Sequence, residues 1–138
     1  MILSLLFLIF AAQSLEEIRN LPDAEKRYQA ALALASANLD EARLSSTNGT
    51  TAVTKEKLEM AAEATELSLK SLEAMGKRPY QNTRNYKRAE LRTREFLRRI
   101  DTLLKDASVE DRDALQSAHE RVNAVHEALI EGVMSKKK

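Results

Sequence analysis

A chain of 138 residues is the size of one domain, and a net charge of +1 gives it no overall bias toward anionic or cationic partners. Gly (3), Pro (2) and aromatics (4%) are scarce beside Ala, Leu, Glu, Lys and Arg, a composition that forms helices and is poor in sheet-forming residues. The lack of Cys excludes a disulfide framework, a thiolate metal site and a Cys nucleophile.

Residues 1–12 read MILSLLFLIFAA, an apolar run ahead of a polar chain. Such a run suits the core of a signal peptide and falls short of the ~20 apolar residues of a membrane span. Ala12 and Ser14 fit a −3/−1 cleavage pattern, although no Lys or Arg precedes the run. The expectation is a signal peptide over 1–14, a helical bundle over 15–135 and a basic tail over 136–138. The protein is then exported, periplasmic or extracellular, and its mature chain has no transmembrane span.

Four periodic segments follow. Leu21-Pro22-Asp23 marks the start of the first helix, whose stripe is Leu21, Ala24, Tyr28, Leu32, Ala35, Leu39 and Ala42. Residues 45–54 (SSTNGTTAVT) read as a loop turning at Asn48-Gly49, with Thr54 as the next cap. Asn48-Gly49-Thr50 also matches the N-glycosylation pattern. The second helix carries Leu58, Ala62, Thr65, Leu69, Leu72 and Met75, and Gly76 and Pro79 end it.

The third helix starts near Asn82 or Thr83 and lines up Tyr86, Ala89, Thr93, Phe96, Leu97, Ile100, Leu103 and Leu104. Ser108, with Asp111 three residues on, resembles a capping box for the fourth. That helix carries Leu115, Ala118, Val122, Val125, Leu129 and Val133. Helices of roughly 22 to 26 residues, each ~33–39 Å long, with short connections predict an all-α fold, an antiparallel up-down four-helix bundle.

Charge is segregated within this frame. Residues 77–105 hold ten Lys and Arg against Glu90, Glu95 and Asp101, a local +7. At about 100° per residue the cations form one outer face around Leu91, opposite the Tyr86–Ile100 stripe. Glu90–Arg94, Glu95–Arg99 and Asp101–Lys105 have the i,i+4 spacing of helix-surface pairs. That leaves Arg84, Lys87, Arg88, Arg92 and Arg98 as a candidate anion-binding face. An acidic stripe on the second helix (Glu56, Glu59, Glu63, Glu66 and Glu73) offers pairing across the following hairpin, or self-association between copies.

Export and the inward placement of Tyr86 and Phe96, which leaves no exposed base-stacking aromatics, argue against nucleic acid. They favour an anionic envelope polymer or lipid headgroups. His119 and His126 lie seven residues apart, ~10.5 Å along one helix, too far to share a metal ion. They are expected as seam residues hydrogen-bonded at the core edge, with a carboxylate of a neighbouring helix as one available partner. With no catalytic triad and no glycine-rich phosphate loop, the chain reads as non-enzymatic, with no cofactor and no metal.

The short apolar leader, the Ala-rich helices, the segment YKRAELRTREFLRRID (residues 86–101) and the Lys-ending tail resemble the uncharacterised small exported helical proteins of bacteria. The helices also look superficially like periplasmic chaperones of the Spy type, whose LTxxQ motif is missing. The first resemblance implies export and a helical fold and carries no function; the chain itself reads as a structural or interaction protein of the cell envelope, with a protein partner or self-association. The second resemblance implies a chaperone-like holdase.

Overall fold

The computed structural model describes residues 14–136, so the expected signal peptide and the last two residues of the tail lie outside it, Ser14 excepted. All regular structure in that range is helical. A short α1 (Leu15–Arg19) precedes four long helices: α2 (Ala24–Thr47), α3 (Thr51–Glu73), α4 (Thr83–Lys105) and α5 (Val109–Met134). A single 3-10 turn, Pro79–Gln81, lies between α3 and α4.

The helix boundaries follow local chemistry. Asp23 caps α2 by accepting from the amides of Glu25 (2.9 Å) and Lys26 (3.2 Å). Ser108 caps α5 through the amide of Asp111 at 3.2 Å. Asp111 does not reach back as a capping box requires; its Oδ2 accepts instead from the Ser46 hydroxyl at 3.2 Å. Gly49 and Gly76 adopt φ of 74°, the left-handed conformation that turns the chain beyond α2 and α3.

Residues 45–54 are less of a loop than expected. Thr54 is a fully buried residue of α3, and its hydroxyl lies 2.7 Å from that of Ser45 across the turn. With this contact made, α2 continues to Thr47 and α3 begins at Thr51. The short α1 was not expected at all. Ser14 caps it through the amide of Glu17 at 3.2 Å, and it buries Ile18 to 1% exposure beside α2 and α3.

The core draws on all four long helices, with Tyr28, Leu39, Leu58, Leu72, Phe96, Ile100, Leu115 and Leu129 among its fully enclosed side chains. Small residues line the α3 side of the first hairpin. Thr65, Ser68 and Ser71 are buried, and each hydroxyl donates to a carbonyl of its own helix (Ala61, Thr65 and Leu67) at 2.8, 2.6 and 2.8 Å. These groups bring no unsatisfied polar atom into the core, and their size lets α2 and α3 approach closely.

Direction alternates along the chain, as expected of an up-down bundle, but the neighbours are not those of a simple ring. α2 packs antiparallel to α3, and α4 to α5, while α3 and α4 lie across the diagonal and barely touch. The two hairpins therefore meet through parallel pairs. On one side Asn85 meets Tyr28, and Arg99 meets Ser36 and Asp40. On the other Arg121 meets Glu59 and Glu66.

Candidate functional site: the outer face of α4

Arg84, Lys87, Arg88 and Arg98 all project into solvent from α4, as the angular placement predicted. Leu91 stands among them with 57% exposure, while Tyr86, Ala89, Thr93, Phe96 and Ile100 are buried on the opposite side. None of the four cations has a carboxylate within 4.0 Å among the described residues. Nor does the first turn of α4 carry an acidic residue, so its positive dipole end adds to the field of Arg84 and Lys87.

Arg92 leaves the expected group. Its Nη1 lies 3.2 Å from Glu95 Oε2 and its guanidinium carbon 5.4 Å from the Phe96 ring centre, so an i,i+3 ion pair and a cation–π contact hold it. Of the three i,i+4 pairs, Glu90–Arg94 forms. Arg99 is drawn to Asp40 and Ser36 on α2 and keeps only a 4.0 Å approach to Glu95. Asp101 faces His119 Nε2 at 3.1 Å in place of Lys105.

The acidic stripe of α3 does not meet α4, because the two helices lie across the diagonal. Arg121 on α5 takes Glu59, at 2.8 Å, and Glu66 together. Arg19 on α1 approaches Glu63 at 4.0 Å. The hydrogen bond from Arg121 holds the Glu59 carboxyl below its usual range, and the two carboxylates, Glu66 foremost, hold the Arg121 guanidinium above its own.

The histidines sit on the α4–α5 seam, each opposite one carboxylate. His119 faces Asp101, and the more enclosed His126 faces Glu90 with Nε2 3.4 Å from Oε1. That nitrogen is buried without a hydrogen bond. No group of three or more His, Asp or Glu among the described residues is placed to hold one metal ion. No helix among the described residues is long and apolar enough to cross a membrane.

A concavity away from this face escaped the sequence reading. A cleft of about 430 Å³ opens where α3 and α5 end, lined by Leu69, Glu73, Pro79, Tyr86, Glu131 and Gly132 among others. The available signal was Gly132 inside a helical pattern, a position where glycine marks a close approach. A β-carbon there would stand 2.5 Å from Cδ1 of Tyr86.

Comparison of the chain with protein-family models, with curated proteins and with solved structures gave no match, so the functional reading rests on this chain's own surfaces.

Proposed function

We propose that this chain is an exported, non-enzymatic interaction protein that holds an anionic partner through the outer face of α4. The observation that carries the reading is the exposure of Arg84, Lys87, Arg88 and Arg98 around Leu91, uncommitted where Arg92, Arg94 and Arg99 are paired. Charges of one sign on one face, reinforced by a helix N-terminus, raise the local concentration of an anionic polymer even in a protein of net charge +1. The apolar run at residues 1–12 supports export, and the partner class is then an anionic envelope polymer.

Self-association through the acidic stripe of α3 is disfavoured, because Glu59 and Glu66 are occupied by Arg121. A holdase role has little support: the exposed apolar side chains Leu44, Val53, Leu91, Val109 and Met134 come from four helices and form no single stripe.

Heparin chromatography tests the face. The protein is retained at low salt, and the combined variant Arg84→Glu, Lys87→Glu, Arg88→Glu, Arg98→Glu flows through with unchanged helicity. Equal retention of the two proteins refutes the assignment. Lipid headgroups as the partner are tested separately, by co-sedimentation with vesicles of phosphatidylcholine and phosphatidylglycerol. N-terminal sequencing of protein recovered from outside the cytoplasm is expected to begin near Leu15, and an intact Met1 on a cytoplasmic product overturns export.

A further inference from the structure

The cleft at the end of α3 and α5 carries charges that work against helix stability. Glu73 is the last residue of α3, and Glu131 lies in the final turn of α5, which holds no basic residue. A carboxylate near a helix C-terminus faces the negative end of the macrodipole, where a cation is the stabilising choice. Because α3 and α5 run parallel, these two C-termini lie side by side, and their unpaired carbonyls add to the field of the carboxylates. Neither Glu73 nor Glu131 has an ion-pair partner within 4.0 Å among the described residues, although Lys77 also lines the cleft and leaves it one net negative charge.

Tyr86 makes an independent observation. Its side chain is 4% exposed, with the ring laid against the backbone of Gly132, yet its hydroxyl has no hydrogen-bond partner among the described residues. Tyr86 lines the cleft together with Glu73, and its phenol is held above its usual value, first by burial and then by the charge of Glu73. It therefore stays protonated at neutral pH, with oxygen lone pairs to offer. Leu69, Pro79 and Ala128 supply apolar walls, and a volume of about 430 Å³ suits a small organic molecule.

We propose that this cleft binds an organic ammonium group, seated between Glu73 and Glu131 with the Tyr86 hydroxyl oxygen as an acceptor and the alkyl portion against Leu69, Pro79 and Ala128. Two carboxylates, two helix C-termini and a neutral phenol make a cation site; the apolar walls select an alkylamine over a bare metal ion. The site is separate from the outer face of α4, and each stands or falls without the other.

The test is a titration of the whole chain with 1,4-diaminobutane, followed by amide chemical shifts, with 1,4-butanediol as the uncharged control. Saturable shifts are expected at Gly132, Ser135 and the end of α3, with no response to the diol. Glu73→Gln with Glu131→Gln weakens binding by tenfold or more, and Tyr86→Phe by about tenfold. Both glutamates are exposed, so their variant keeps the fold. Equal affinity for the diol, undiminished amine binding in the double variant, or shifts scattered over surface carboxylates each overturns the proposal.

Discussion

Tyr28 of α2 donates its buried hydroxyl to Oδ1 of Asn85 on α4, 2.7 Å away. Asn85 in turn donates to Asn82 at 2.9 Å and to Glu25 at 3.4 Å, so one buried amide ties the N-terminal turns of two parallel helices together. Tyr28→Phe keeps the ring packing but strands the Asn85 oxygen. The expected cost is about 1–2 kcal/mol, seen as a fall in Tm of about 4–8 °C by circular dichroism. An unchanged melting curve would show that the bond contributes nothing net.

Gly132→Ala makes a sharper case, because two effects oppose. Alanine favours a helix interior by about 1 kcal/mol, but its β-carbon meets Tyr86 Cδ1 at 2.5 Å and Cε1 at 2.7 Å. Overpacking of that kind costs about 1–3 kcal/mol, and the net expectation is destabilisation. With Tyr86→Leu already in place the ring is gone and the same substitution becomes stabilising. A double-mutant cycle by urea denaturation reads this reversal of sign directly.

Acid pH acts on the α3–α5 contact. Arg121 lowers the folded-state pKa of Glu59 below the usual carboxylate value of 4.5, so the unfolded chain binds more protons in that range. The contribution is complete above the unfolded value and disappears as pH falls through the lowered folded one. Arg121→Gln is expected to cost on the order of 0.5–1 kcal/mol at pH 7, a magnitude typical of solvent-screened pairs. That difference shrinks toward zero at pH 3 and is smaller in high salt. A difference that persists at pH 3 would assign it to packing of the Arg121 stem.

Ile18 tests where the folded unit begins. It is 1% exposed although α1 has only five residues, so Ile18→Ala is expected to cost about 2–4 kcal/mol. A loss below about 0.5 kcal/mol, typical of surface sites, would place α1 outside the cooperative fold.

Features set within one helix turn were readable from the sequence. The Asp23 and Ser108 caps, the stop at Gly76 and the outward direction of Arg84, Lys87, Arg88 and Arg98 all depend on spacing alone. α1 left a signal of the same kind in Ser14 and Glu17, but five residues are too few for a periodic pattern. Adjacency was not readable, because periodicity tells which face of a helix is buried and not which helix buries it. The acidic stripe of α3 was therefore matched to α4 when its partner is Arg121 of α5. The same limit hid the choice of Arg99 for Asp40 and of Asp101 for His119. Arg92 took Glu95 within its own helix, at i,i+3 spacing that the i,i+4 reading passed over. Tyr86 was legible as a core residue, whereas the cleft it lines depends on α3 and α5 ending together.

The diagonal passage from α3 to α4 has a mechanical consequence. Each hairpin is a continuous half of the chain with its own short turn, and residues 74–82 alone join the halves. That segment supplies effective concentration, and its turn Pro79–Gln81 also packs on α5. Cut between Lys77 and Arg78, the chain becomes a pair of complementary fragments whose reassembly reports on the interface between them. A reporter split across that point would glow only when the two halves find each other.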